Sequence, residues 1–180
     1  MLSGYPGTVL GGAQITKGSA RTLFNGIFAA GGVTASQIYN MTGLEIHMIH
    51  NWVKRNFLTS PVKKLYSSEQ FARIIIINMM RESIQLERIS KMLEFTRSPK
   101  DKEGISAENL YCLFVDTMCS LEGNREPSEV EKKVSEAVAG FLGEESSKAR
   151  DLERILRTMV YAHSSAQMKE LAKQSLLSLE

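Results

Sequence analysis

Few side chains in this 180-residue chain have types and spacings suited to chemistry: three histidines, two cysteines and scattered carboxylates. His47 and His50 lie three residues apart, so on a helix they share a face and could share a metal ion. No Cys, further His or carboxylate is spaced to complete the ligand set, and two outward-facing histidines are the better reading. Cys112 and Cys119 stand seven apart in one helical stretch beside Leu113 and Phe114, which favours packed thiols over a redox or metal pair. Asp116 and Glu122 flank a helix end with no base beside them, and His163 has no recognisable companion. No Ser-His-Asp or Cys-His order and no phosphate-cradling glycine loop occurs. The expectation is a protein that is not an enzyme and that carries no cofactor and no metal.

What remains is electrostatic. Lys54 and Arg55 close one helical pattern, and Lys63 and Lys64 follow in the proline-bearing loop TSPVKKLYS. Residues 34–94 hold eight Lys/Arg against five Asp/Glu, residues 95–180 twelve against fifteen, and the net charge is +2. A basic front and an acidic rear suit a polyanion on one side and another task on the other. The plain alternative is a solvated rim of charge. With 43% hydrophobic residues the chain can bury a real core. The apolar run Ile74–Ile77 is far too short to span a membrane, and the first residues lack a cationic start before an apolar stretch. A cytoplasmic location without membrane attachment is expected.

Periodicity predicts the elements that must position these cations. Residues 1–20 are rich in Gly, Ser and Thr without a period and read as a loosely packed leader. A short helix over Arg21–Ala30 completes the segment 1–33. Thr34 caps a short helix to Met41, Gly43 makes a turn, and Leu44–Arg55 form the next helix. Its inward side should hold Ile46, Ile49, Trp52 and Val53, leaving Glu45, His47, Met48, His50, Asn51, Lys54 and Arg55 outward. Asn56–Tyr66 suits a tight β-hairpin, and Ser67 with Gln70 makes a capping box for a strongly apolar helix. A short helix over Ile84–Phe95 follows. Arg97–Gly104 reads as a boundary. Beyond it come Ser106–Leu121, Pro127–Leu142 and a long third stretch from Glu144 that His163-Ser164-Ser165 could interrupt.

Short helix, glycine turn, second helix and basic hairpin form the order of a helix-turn-helix with a wing. The major groove admits one α-helix, and the preceding helix sets its angle. Asn51 has the amide geometry for adenine, and His47 and His50 can donate to guanine or phosphate. Lys54, Arg55, Lys63 and Lys64 would contact phosphates, which fix position without reading sequence. Residues 34–93 resemble the DNA-binding domain of MerR-type regulators on Thr34, Thr42-Gly43, Leu65-Tyr66-Ser67 and the QLERI of Gln85–Ile89. The chain also resembles a bacterial family of no assigned function that carries TGLEI, NWVKR, PVKKLYS and FARI ahead of a helical rear part.

The expected fold is therefore mostly α. It has a MerR-like winged helix-turn-helix with a short β-hairpin wing at 34–94 and an all-helical domain at 105–180. The expected function is a sequence-specific DNA-binding transcriptional regulator that reads double-stranded DNA with 44–55 and sets 56–66 on the backbone or minor groove. A homodimer through the C-terminal helices is implied, because one short helix covers too few bases. Two rivals stand beside it: a protein–protein adaptor, and a regulator whose helical domain binds a small-molecule effector.

Overall fold

The computed structural model describes residues 2, 4–11, 14–95, 105–143 and 148–177. Among them the ordered elements are eight helices: α1 Ser19–Phe28, α2 Ala35–Thr42, α3 Ile46–Lys54, α4 Ser68–Met80, α5 Leu86–Glu94, α6 Ala107–Ser120, α7 Pro127–Leu142 and α8 Ala149–Leu177. No helix is long and apolar enough to cross a membrane among the described residues.

α4 is the centre. Phe71 to Ile77, Met79 and Met80 are all buried, the pattern of a helix that is covered all round. α6, α8, α5 and α2 pack on it, α7 closes against α6 and α8, and α1 lies on α6. One apolar cluster joins residues on both sides of 95–105, with the Phe24 ring 5.7 Å from that of Phe71 and 5.8 Å from that of Tyr111. The polar side chains of α4 tie this shell together. Glu69 accepts from the backbone N–H groups of Ala107 and Glu108 at 2.9 and 3.2 Å, capping α6. Arg73, only 2% exposed, donates to the Leu93 carbonyl at 3.2 Å.

Three expectations need correction. The β-hairpin wing is absent: the described residues contain isolated bridges, Val33 with Tyr66 and Val62 with Leu65 near this loop, but no strand. The reason is local. The amides of Phe57 and Leu58 both bond back to the Trp52 carbonyl, Pro61 has no N–H to offer a ladder, and the carbonyls of Thr59 and Ser60 accept from Gln70. The fold class is thus all-helical among the described residues. The leader is a strap: Pro6 accepts from the Tyr111 hydroxyl at 2.8 Å, Gly7 from the Asn78 amide at 3.0 Å, and the Val9 N–H donates to Met41 at 2.9 Å. α8 runs unbroken through 163–165, and the Ser164 hydroxyl donates back to the Val160 carbonyl at 2.8 Å without ending the helix.

His163 sits on α8 edge-on to Phe114, ring centroids 6.0 Å apart, with Nε2 buried and without a hydrogen-bond partner among the described residues. Burial, and then the positive charge of Arg125, lower its pKa from 6.5 to about 4. The unfolded chain therefore binds the proton more readily than the fold. The stabilisation is complete above pH 6.5 and is lost as pH falls towards about 4, at no more than about 1.4 kcal/mol per pH unit. Urea unfolding across this window should show the decline in the natural chain, and His163→Phe, which keeps the ring packing, should flatten it.

Candidate nucleic-acid interface

A capping box starts α2: the Gln37 N–H donates to the Thr34 hydroxyl at 3.3 Å, and the Thr34 N–H donates to the Gln37 side chain at 2.8 Å. α2 ends at Gly43, whose φ of 67° is the left-handed conformation glycine tolerates, with its N–H on the Tyr39 carbonyl at 2.8 Å. The buried Thr42 hydroxyl donates to Ile38 at 2.7 Å and accepts from the Leu44 N–H at 3.1 Å, so it stiffens the turn from both sides. The three residues Gly43-Leu44-Glu45 join α2 to α3, the spacing of a helix-turn-helix. Ile49 and Trp52 anchor α3 to the core.

That anchoring leaves His47, His50, Asn51 and Lys54 exposed on α3. Met48 does not join them. It is half-buried against the core, and its sulfur accepts from the Arg81 guanidinium at 3.5 Å. Arg55 is exposed but engaged: it pairs with Glu87 of α5 at 2.6 Å and lies over the Phe57 ring, 4.7 Å from its centre. The described residues contain no group of three or more His, Cys, Asp or Glu able to hold a metal.

Lys63 and Lys64 form the tip of a two-residue turn closed by Val62 and Leu65, whose N–H groups and carbonyls bond reciprocally at 3.0 and 2.9 Å. Their φ angles are 49° and 65°, both left-handed. Asn and Gly normally take these positions, and for lysine the conformation costs about 1–2 kcal/mol each. A rigid base maintains it. Val33 and Tyr66 exchange backbone bonds at 2.9 and 2.7 Å. The approach is so close that a Cβ on Gly32 would lie 2.8 Å from the Tyr66 carbonyl oxygen. On the other arm, the Gln70 amide donates to the Thr59 carbonyl and hydroxyl at 2.9 Å each and to the Ser60 carbonyl at 3.1 Å. Lys54, Lys63 and Lys64 make no ion pair with the described residues. Strained backbone of this kind persists because its surroundings hold it in place.

The other reactive side chains are structural. Cys112 is buried and its thiol is pushed up to about 11, mainly by that burial. Cys119 is half-buried with its sulfur 3.6 Å from the Ile15 carbonyl oxygen. Asp116 accepts from the Gly18 N–H at 2.8 Å and so fastens the strap to α6. Sequence reasoning missed Gln70 as a clamp on the lysine turn, although its capping box was readable, and missed Glu87 as the partner of Arg55. The first contact spans ten or eleven residues and the second thirty-two, so no local pattern announces either.

Residues 30–114 match the model of a domain of unknown function, DUF1836. The matched span begins before α2 and ends inside α6, so it contains the helix pair, the lysine turn, α4 and α5. No curated protein and no solved structure shows a match to the chain. The MerR-type resemblance is corrected on two grounds. The model that matches is this other domain, and no strand exists among the described residues from which a wing could be built.

The clamp predicts a specific defect. Gln70→Ala should cost about 1–2 kcal/mol, the range of a lost cap, and should speed hydrogen exchange at the Leu65 amide. Ser67→Ala removes the hydroxyl side of the cap alone and should leave that amide protected. Unchanged exchange in Gln70→Ala would show that the turn is held by other means.

Proposed function

We propose that the chain is a sequence-specific, double-stranded-DNA-binding transcriptional regulator of the cytoplasm, acting as a homodimer and without wing contacts. One observation carries this reading: the fold leaves the polar face of α3 uncovered and follows it with a strained turn tipped by two lysines that have no ion pair among the described residues. α3 enters the major groove, where Asn51 offers a bidentate amide to adenine and His47 and His50 reach guanine acceptors or phosphates. Lys54, Lys63 and Lys64 bind phosphates and set the register. Arg55, tied to Glu87, braces the end of α3 against α5, and Met48 supports the helix from within.

The homodimer reading rests on α8. Past Ala162 the helix is mostly uncovered, and Met168 and Leu171, three apart on one face, are 60% and 53% exposed. Pairing two copies along this stripe removes apolar surface from water and doubles the number of bases read.

Duplexes selected from a random pool should bind with an affinity that falls steeply as salt rises. Replacing Lys63 and Lys64 by Ala should weaken all duplexes alike and lower the salt slope by about one per lysine. Asn51→Ala should erase about 1–3 kcal/mol of preference at one base pair. Salt-independent binding, or equal affinity in all variants by fluorescence anisotropy, would refute the interface. Separately, Leu171→Lys should convert a dimer to a folded monomer in light scattering, and a natural chain that is monomeric at high concentration removes the homodimer.

A further inference from the structure

A cleft of about 490 Å³ lies where α5 meets α8 and the end of α4, within the roughly 300–1,000 Å³ typical of small-molecule sites. Ile84 and Met92, both half-buried, give it an apolar wall over the fully buried Met80 and Ile89, and Ser83, Gln85, Arg88 and Thr158 make up the rest of the lining. The hydroxyl protons of its serine and threonine are already used: Ser83 donates to the Ala162 carbonyl at 3.2 Å and Thr158 to the Arg154 carbonyl at 2.8 Å. Arg88 differs. It is exposed, and its guanidinium has no ion pair or hydrogen bond among the described residues. Two of the acids near it in sequence are committed elsewhere, Glu87 to Arg55 and Glu82 to Lys169 at 2.9 Å, and Glu94, six residues on, makes no ion pair with Arg88 among the described residues.

A single unpaired guanidinium beside thioether and branched aliphatic walls has a definite complement. The fork of N–H donors suits a carboxylate, one charge suits a monoanion, and flexible methionines adapt to an unbranched chain better than to a rigid ring. We propose that this cleft is an effector site for an aliphatic monocarboxylate, with Arg88 receiving the carboxylate and Ile84 and Met92 receiving the chain. α5 makes the site regulatory, a step that rests on the DNA-binding reading of α3. Arg88 and Glu87 are adjacent on this helix; one lines the cleft and the other holds Arg55 beside the end of α3. A chain wedged between α5 and α8 shifts the helix that carries Glu87 and alters how α3 is braced.

Calorimetry with the full chain and decanoate, below its micelle concentration, tests the site. Saturable binding is expected. Arg88→Gln should weaken it about tenfold or more while leaving decanol binding unchanged, and Met92→Lys should weaken both ligands, with circular dichroism confirming that each variant is folded. Absence of saturable binding, or equal decanoate affinity in Arg88→Gln, overturns the site. A second measurement follows DNA affinity with and without decanoate. A change of about threefold or more that disappears in Glu87→Gln supports the coupling, and an unchanged affinity for bound DNA overturns it. A chain that binds decanoate but no DNA refutes the DNA-binding reading and the coupling while leaving the carboxylate site standing.

Discussion

A helix buried on every side dictates what surrounds it. From Phe71 to Met80 only Asn78 escapes full burial, so each neighbour of α4 must present an apolar stripe and no face is left for solvent. The polar groups that α4 retains then have to be satisfied by the shell, and each one becomes a point of attachment. Glu69 caps α6, Gln70 grips the loop at Thr59 and Ser60, Arg73 reaches the carbonyl of Leu93 on α5, and Asn78 holds Gly7 of the strap. The same chemistry that would make these residues costly inside a core makes them specific joints. Neighbours are therefore placed by direction as well as by hydrophobicity.

The candidate interface depends on those joints. α3 contributes only Ile49 and Trp52 as fully buried side chains, and the lysine turn rests on isolated bridges and not on strands. The cost of holding Lys63 and Lys64 in the left-handed region is about 1–2 kcal/mol each, comparable to burying one large aliphatic side chain, about 1.5–3 kcal/mol. A core that buries a long run of isoleucines can bear that strain. The Gln70 clamp and the Val33–Tyr66 pairing convert it from a floppy loop into a fixed projection.

Local patterns explain why parts of this arrangement were legible in the sequence. The Thr34 and Ser67 caps, the Gly43 turn and the inward placing of Ile49 and Trp52 all follow from residues within one or two turns of each other. The exposure of His47, His50, Asn51 and Lys54 comes from the same period. What was misread depends on partners far along the chain. Alternation over 56–66 suggested a hairpin, yet Trp52 and Gln70 take the hydrogen bonds that strands would need. Glycine and serine in the leader suggested looseness, yet Tyr111 and Asn78 supply the donors that pin it. Periodicity places Met48 outward, but it is half-buried and accepts from Arg81, and Arg55 faces outward as expected yet is engaged by Glu87.

α5 stands apart from this rigid frame. It is nine residues long, buries only Ile89 and Leu93, and meets α3 through the Arg55–Glu87 pair. Both partners of that pair are about half exposed or more, so it contributes no more than about 1 kcal/mol and serves to orient more than to stabilise. Displacing α4 would break several buried joints at once. Displacing α5 by a small distance breaks the exposed Arg55–Glu87 pair and strains the buried Arg73–Leu93 bond and the seats of Ile89 and Leu93. Any conformational signal that reaches α3 therefore travels at least cost through α5, the element bordering both the Arg88 cleft and the end of α3.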